Sequence, residues 1–183
     1  MNINNQFRLD GKVAVVTGGG RGIGRGIALA FAECGADVAV IARRQEDLDR
    51  VVEEIESKGQ NGLAISADVM DFNSIPKALD KVCKEMGHLD IMVNNAGGNL
   101  DRKMYSLPEI SIEKFDEQLT LNMKTKWWGS QQAAKRMIEG GRIINIISVA
   151  AHRASPGFGV YSAANLGMIS MTRTFAVELA NKK

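Results

Sequence analysis

The residues best suited to chemistry form a glycine-rich stretch after the first apolar run, Thr17-Gly-Gly-Gly-Arg-Gly-Ile-Gly24. At a strand-to-helix turn, glycines let backbone N–H groups approach an anion at the start of the helix, where the helix dipole favours negative charge. The alternative is a tight turn without a ligand. The residues expected to contact the anion are Gly18, Gly20, Arg21, Gly22, Ile23 and Gly24.

The spacing of these glycines separates the turn from two common phosphate-binding patterns. A P-loop has Lys and then Ser or Thr after its last glycine, whereas Gly24 is followed by Arg25. The dinucleotide pattern Gly-x-Gly-x-x-Gly is not met in any register. The pattern present is Gly18-x-x-x-Gly22-x-Gly24.

Two arginines, Arg43 and Arg44, follow the second apolar run at the start of a predicted helix. An NAD site is expected to have Asp or Glu near this position, to hold the adenosine ribose hydroxyls. Positive charge at a helix N-terminus is unfavourable unless an anion is bound there, and the 2′-phosphate of NADP is such an anion. We therefore expect NADP rather than NAD, held by Arg43 and Arg21. Two exposed helix residues without a ligand are the alternative.

The elements that position these residues alternate between short β-branched runs and longer amphipathic stretches. The predicted strands are Lys12–Thr17, Asp37–Ala42, Leu63–Ala67, Leu89–Val93 and Arg142–Ile147. The predicted helices run through Ile27 to Cys34, along Leu48–Ile55 and Ile75–Val82, and over 112–138 and 160–181. Strands that are apolar on both faces predict a parallel sheet covered by helices on each side. This is a doubly wound α/β fold in one domain over 1–183, with ligands at the carboxyl ends of the strands.

The composition of the 183-residue chain excludes several classes of protein. Lys+Arg 23 against Asp+Glu 21 gives a net charge of +2, and without a basic run we expect no nucleic-acid partner. The apolar runs fall short of the ~20 residues that span a bilayer, so no membrane partner is expected. Two cysteines, Cys34 and Cys83, and a start unlike a signal peptide favour the cytoplasm. His88 and His152 lack ligand spacing, so we expect no metal.

The chain resembles the short-chain dehydrogenase/reductase family, of the kind that includes 3-oxoacyl carrier-protein reductases and hydroxysteroid dehydrogenases. The motifs that carry the resemblance are Thr17-Gly-Gly-Gly-Arg-Gly-Ile-Gly24, Asp68-Val69, Asn94-Asn-Ala-Gly97, Asn122, Ser148 and Tyr161. They occur in the family's order and spacing over essentially the whole chain. Each motif alone is weak, but together they are highly specific. The fold that the resemblance implies is a Rossmann-like α/β/α sandwich.

The resemblance implies hydride transfer between nicotinamide C4 and a carbonyl or secondary alcohol carbon. By resemblance, Tyr161 is the general acid/base, and Ser148, 13 residues earlier, hydrogen-bonds the same substrate oxygen. Asn122 would hold a water in the proton relay. The remaining cofactor contacts would be Asp68, Val69, Asn95, Ala96 and Gly97. Taken singly, these residues could equally be a helix aromatic, a strand-end cap, a helix polar residue and an exposed loop aspartate.

The chain departs from the family four residues after Tyr161, where Asn165 takes the place of a catalytic lysine. Positions i and i+4 share a helix face. A tyrosine has an ordinary pKa of about 10, which a nearby ammonium lowers. Asn165 can hydrogen-bond a cofactor ribose hydroxyl but supplies no charge, and no other lysine lies close in sequence. We therefore expect slow turnover or none.

A second departure lies at the end of the chain. The family domain normally continues with two more strands, whereas this sequence stops at Lys183, just after the helix that carries Tyr161. We therefore expect a truncated form lacking the last strands, with Ile143, Ile144, Ile146 and Ile147 on an apolar sheet edge. Both departures indicate weakened catalysis. The alternative function is an inactive dinucleotide-binding or interaction module.

Substrate and subunit contacts are only coarsely indicated. The irregular stretch 98–111 and the loop 150–159, rich in alanine and with Phe158, indicate an apolar carbonyl or alcohol substrate. By resemblance, the helices over 112–138 and 160–181 form a homodimer or homotetramer. Trp127 and Trp128 could serve that contact or the core.

Overall fold

The computed structural model describes residues 7–99, 101, 103–137 and 139–181. Its sheet has five strands in the order β3-β2-β1-β4-β5, and every neighbouring pair is parallel. The strands are β1 (Val13–Thr17), β2 (Asp37–Ala42), β3 (Gly62–Ser66), β4 (Ile91–Asn94) and β5 (Arg142–Asn145). The order reverses direction between β1 and β4, which confirms the doubly wound α/β fold and places a crevice at their carboxyl ends.

Helices connect the strands and cover both faces of the sheet. They are α1 (Gly22–Glu33), α2 (Gln45–Glu56), α3 (Ser74–Met86), α4 (Ile112–Leu119), α5 (Thr125–Ala134) and α6 (Gly159–Glu178). A π-helical turn, Thr120–Lys124, joins α4 to α5, and a 3-10 turn, Val149–His152, precedes α6. Among the described residues, no helix combines the length and apolar character needed to span a bilayer.

The core has two layers because successive side chains of a strand point to opposite faces. In β1, Val15 belongs to the cluster that packs with α3, whereas Ala14 and Val16 belong to the cluster that packs with α1 and α2. On α2, the predicted stripe of Leu48, Val51 and Ile55 is buried as a single face. The alternation along each strand thus accounts for a sheet covered on both sides.

The stretch predicted as one helix over 112–138 is interrupted. The π-helical turn lies between α4 and α5, and α5 ends at Ala134. Ile138 lies outside the described residues. A π turn inserts one extra residue into the helical repeat, which the apolar periodicity does not reveal, and such turns are frequent at functional sites.

Several other predicted boundaries shift by a few residues. Helix α1 begins at Gly22 rather than near Ile27, because the last glycines of the turn are themselves part of the helix. Strand β4 begins at Ile91, not Leu89. Strand β5 ends at Asn145 rather than Ile147, although the Ile146 amide still donates to the Asn94 carbonyl at 3.1 Å. As expected, β5 is an edge of the described sheet, with Ile144 exposed.

The two tryptophans of α5 are both half-buried. Trp128 packs against the cluster on the α3 side, and its indole N–H donates to the Phe72 carbonyl at 2.8 Å. Trp127 stacks at a tilt on Trp128, with ring centroids 5.8 Å apart. Trp128 therefore has a core role in this structure.

Candidate active site

A cavity of about 710 Å³ opens at the carboxyl ends of β1, β2 and β4. Its volume lies within the range of small-molecule and cofactor sites. Fourteen residues predicted from the sequence line it: Gly18, Gly20, Arg21, Gly22, Ile23, Gly24, Arg43, Arg44, Asp68, Val69, Asn95, Ala96, Gly97 and Tyr161. Asn122, Ser148 and Asn165 are not on its wall.

The glycine turn presents the start of α1 to this cavity. The Gly18 amide donates to the Ile41 carbonyl at 2.7 Å, which ties the turn to the end of β2. A Cβ atom at Gly24 would lie 2.2 Å from the Gly18 carbonyl oxygen, so the turn can close this tightly only around glycine. Arg21 precedes the helix and has no acceptor atom with which to cap it. The first N–H groups of α1 therefore remain available to an anion.

Thr17 and Asn95 fix the cavity wall where β1 and β4 end. The Thr17 hydroxyl accepts hydrogen bonds from the backbone amides of Asn95 and Ala96, at 3.0 and 3.1 Å, and donates to the Val93 carbonyl at 3.2 Å. The Asn95 side chain donates from Nδ2 to the Thr17 carbonyl at 2.9 Å. This network holds the backbone from Asn95 to Gly97 along the cavity.

The three arginines that line the cavity differ in whether they form an ion pair. Arg44 pairs with Asp47 within the first turn of α2. Arg21 and Arg43 are exposed on the cavity rim, and neither forms an ion pair with any carboxylate in the described ranges. The Ser66 hydroxyl donates to the Arg43 carbonyl at 3.1 Å and fixes the backbone there. Two of the three arginines thus lie beside the glycine turn with no carboxylate partner in the described part of the chain.

Asp68 lines the cavity and also shapes the loop after β3. Its carboxylate accepts from the Met70 amide at 2.9 Å, and its carbonyl accepts from the Ser74 hydroxyl at 2.6 Å. Both bonds help to start α3. The structural role and the predicted position beside the cofactor are therefore compatible, because the second carboxylate oxygen remains available.

Tyr161 and Ser148 come from different elements near the β5 side of the cavity. Tyr161 lies in the first turn of α6, is half-buried on the cavity wall, and meets Phe158 edge-on with ring centroids 6.2 Å apart. Ser148 caps the 3-10 turn after β5, where its hydroxyl accepts from the Ala150 amide at 3.2 Å. Its side chain therefore has a local structural role in this conformation.

Asn122 is fully buried in the π-helical turn. Its Oδ1 accepts from the Gly98 amide at 2.7 Å, and its Nδ2 donates to the Gly98 carbonyl at 3.0 Å. Nδ2 also contacts the carbonyl and the side-chain oxygen of Gln118. The side chain thus anchors the loop after β4 to the helix, a role that the sequence did not predict.

Asn165 points into the fold rather than into the cavity. It is 1% exposed, and its Nδ2 donates to the Tyr161 carbonyl at 2.8 Å. Its Oδ1 is buried with no hydrogen-bond partner in the described part of the chain. The amide therefore braces the turn that carries Tyr161.

Lys126 is a titratable residue on the cavity wall that was not identified as a site residue from the sequence. It is 4% exposed on α5, lines the cavity, and donates from Nζ to the Ile146 carbonyl at 2.6 Å. Burial lowers the pKa of the Lys126 ammonium to about 8. The available signal was its position about one helical turn after Asn122, which places the two on one face.

The sheet order, the glycine turn and the cavity at the switch point define a dinucleotide-binding α/β protein. Residues 12–183 match the short chain dehydrogenase family, and the chain belongs to it. The family therefore accounts for both the fold and the oxidoreductase class.

Among its curated relatives is 2-dehydro-3-deoxy-D-gluconate 5-dehydrogenase of Escherichia coli, 38% identical over 97% of this chain and 70% of that protein. A 3-oxoacyl-[acyl-carrier-protein] reductase of Staphylococcus aureus is 38% identical over 93% of this chain and 70% of that protein. The chain thus spans about 70% of the length of these two relatives.

Two solved structures show that similar proteins bind either nicotinamide dinucleotide. A short chain dehydrogenase of Burkholderia cenocepacia in complex with NADP is 38% identical, with a TM-score of 0.89 over 96% of this chain and 71% of that one. Carveol dehydrogenase of Mycobacterium avium in complex with NAD is 30% identical, with a TM-score of 0.91 over 96% and 68%. Likeness of fold alone therefore does not choose between the two cofactors.

Proposed function

We propose that the protein is an NADP(H)-dependent oxidoreductase that interconverts a carbonyl and a secondary alcohol. The observation that carries this proposal is that Tyr161 and the glycine turn line one cavity. A cofactor with its phosphates at the start of α1 would extend along Asn95–Gly97 toward Tyr161. The cavity volume, the free helix N-terminus and the backbone wall fit a dinucleotide.

The protein's own residues would bind the cofactor and move a proton. The bound cofactor supplies or accepts the hydride at its nicotinamide ring. In the reducing direction, the Tyr161 hydroxyl donates its proton to the substrate oxygen as the carbonyl carbon becomes tetrahedral, and in the oxidising direction it takes that proton back. Ser148 would hydrogen-bond the same oxygen after its hydroxyl rotates away from the Ala150 amide.

The preference for NADP over NAD rests on Arg21 and Arg43. Both are uncompensated by any described carboxylate and stand on the rim beside the glycine turn. Ala42, at the end of β2, supplies no carboxylate for the ribose hydroxyls of NAD. A guanidinium pair suits a phosphate monoester, which it can contact by charge-assisted hydrogen bonds.

We also propose that Asn165 slows turnover, because a neutral amide directed at the Tyr161 carbonyl supplies no positive charge to the site. The Asn165→Lys variant would then turn over faster than the wild type. Equal rates for the two proteins would contradict this part of the proposal.

The alternative function is a catalytically inactive dinucleotide-binding module of the same family. The placement of Ser148 favours it, because this side chain caps the 3-10 turn and is not on the cavity wall. An inactive module would bind NADPH but show no turnover, and Tyr161→Phe would leave its properties unchanged.

An apolar substrate is supported by the loops around Tyr161. Met104 and Leu107 are largely exposed, while their segment closes on the turn before α6 through the Tyr105 amide, which donates to the Gly157 carbonyl at 3.0 Å. Tyr105, Phe158 and Tyr161 share a small recess there. Leu100 and Arg102, in the same irregular stretch, lie outside the described residues.

A homodimer or homotetramer is supported by the outer face of α6. Leu166 and Val177 on this helix are more than half exposed. Large exposed apolar side chains on a long helix are suited to a subunit contact. Light scattering on the purified protein would test this, and a monomer at micromolar concentration would contradict it.

The oxidoreductase proposal is tested by following NADPH absorbance with a panel of apolar cyclic and aromatic ketones. We expect slow NADPH oxidation that depends on the ketone and falls at least a hundredfold in the Tyr161→Phe variant. Ser148→Thr, which keeps a hydroxyl, serves as the milder comparison. A wild-type rate equal to that of Tyr161→Phe would favour the inactive module.

A further inference from the structure

Lys126 is a buried cation without an anionic partner. Its side chain is 4% exposed, and no carboxylate in the described ranges lies within ion-pair distance. The ammonium has three N–H donors, of which one is used on the Ile146 carbonyl. Burying an unpaired charge is costly, so a lysine in this position is better explained by a bound ligand than by folding.

Lys126 lines the same cavity as Tyr161. A Cβ atom added to Gly97 would stand 3.2 Å from Lys126 Nζ, which places the nitrogen beside the backbone at the end of β4. The Ile146 carbonyl holds it from the end of β5. The cavity therefore has a cation between β4 and β5, on the side where α6 presents Tyr161.

The other charged groups on the cavity belong to elements on its opposite side. Arg21 precedes α1, Arg43 and Arg44 follow β2, Asp47 is on α2 and Asp68 follows β3. Tyr161 is the titratable group that α6 contributes to the cavity. Lys126 is thus the lysine available to the β4–β5 side among the described lining residues.

We propose that Lys126 supplies, from α5, the positive charge that Asn165 does not supply from α6, and that it donates hydrogen bonds to the ribose hydroxyls on the nicotinamide side of the cofactor. This inference rests on the proposed function. The same charge stabilises the negative charge that Tyr161 develops when its proton leaves. Its effect on Tyr161 is partial, because it acts from a different helix.

The lowered pKa of Lys126, about 8, is consistent with this geometry. At pH 7 the side chain is mostly charged and can donate all its hydrogens. Above about pH 8 the free protein loses that charge. Cofactor affinity should therefore fall at alkaline pH through Lys126.

The test is calorimetric titration of the full chain with NADPH between pH 6.5 and 9.5. At pH 7 we expect Lys126→Met to bind at least tenfold more weakly than the wild type. Lys126→Gln, which keeps an N–H donor but no charge, should lose a similar factor. The matched control is Lys124→Met, which removes the same charge from an exposed side chain that lies over the Phe72 ring. It should stay within twofold of the wild type.

The pH dependence and a rescue separate a cofactor contact from a structural role. Wild-type affinity should fall above about pH 8, and the fall should be absent in Lys126→Met. Lys126→Met/Asn165→Lys, which returns a charge four residues after Tyr161, should regain at least half of the loss on a logarithmic scale. A structural lysine would give neither result.

The outcomes distinguish this inference from the function on which it rests. If the wild type binds NADPH and both neutral variants bind equally well, the role of Lys126 is wrong while the oxidoreductase proposal stands. If the wild type itself binds no NADPH, both are wrong. If near-ultraviolet circular dichroism shows that Lys126→Met does not fold, the NADPH affinity of Lys126→Gln relative to the wild type decides the question.

Discussion

The two ends of the cavity differ in that one is formed by backbone groups and the other by side chains. At the proposed phosphate end, the turn between β1 and α1 would bind through its backbone, and the tight approach of Gly24 to the Gly18 carbonyl leaves no room for a side chain. At the proposed chemical end, the side chains of Tyr161 and Lys126 line the cavity from two helices, and Asn165, off the cavity wall, donates to the Tyr161 carbonyl.

This difference determines how each end tolerates change. A backbone site needs particular residues at particular positions, so a substitution there removes the site. A charge in a side-chain site can be supplied from another element whose side chain reaches the same cavity. We therefore predict that substitutions at the phosphate end cannot be rescued, whereas those at the chemical end can.

The largest expected effect separates turnover from binding at the chemical end. Tyr161→Phe removes the proton donor and should lower turnover by about 10²–10⁴-fold. NADPH affinity by calorimetry should change less than threefold, because the ring remains on the cavity wall. An equally large loss of affinity would mean that the chemical end is also a principal binding determinant.

The next largest effect is expected from a substitution in the glycine turn at the phosphate end. Gly24→Ala should lower NADPH affinity by at least a hundredfold and the free energy of unfolding by about 1–3 kcal/mol, because α1 must move away from the Gly18 carbonyl. Gly26→Ala is the matched control, since a Cβ there meets nothing within 4 Å. It should bind normally and be more stable by about 0.5–1 kcal/mol. Equal behaviour of the two variants would contradict the close-approach argument.

A smaller effect sharpens the cofactor choice. Arg43→Ala should weaken NADPH binding by about tenfold, corresponding to about 1.4 kcal/mol, and leave NADH binding unchanged. Arg50→Ala removes the same charge from an exposed position of α2 that does not line the cavity. A loss for both dinucleotides in Arg43→Ala would indicate a general electrostatic role instead.

The stability of the free protein gives an independent measurement of Lys126. Because its pKa falls from 10.5 to about 8 on folding, the folded state binds fewer protons than the unfolded state between these values. Stability should therefore rise with pH over this window, by an amount on the order of 3 kcal/mol from this group. Denaturant unfolding at pH 7.5 and 10 should show this increment as the difference between wild type and Lys126→Met. Identical pH dependence would show that the lysine titrates normally.

The sequence predicted the fold and most of the residues that line the cavity, because both depend on local patterns. The five strands were found from β-branched runs, and ten of the fourteen predicted lining residues lie in loops that directly follow them. Gly22, Ile23 and Gly24 lie in the first turn of α1, and Tyr161 lies in the first turn of α6. Such loops must meet at one edge of a parallel sheet, so their positions follow from the topology.

The chemical end was less accessible to sequence reasoning. The π-helical turn at Asn122 and the approach of Lys126 to Ile146 depend on how α5 packs against β5, which apolar periodicity does not encode. Searching for a cation only near Tyr161 in sequence missed Lys126, which is 35 residues earlier in the sequence and on the same cavity.

The most direct test of the account is a calorimetric titration of the wild-type chain at pH 7 with NADPH and, separately, with NADH. We expect one NADPH per chain, bound at least tenfold more tightly than NADH, because Arg21 and Arg43 on the cavity rim would face the 2′-phosphate under the proposed function. Binding of neither dinucleotide, or tighter binding of NADH, would contradict the assignment of this cavity as an NADP(H) site.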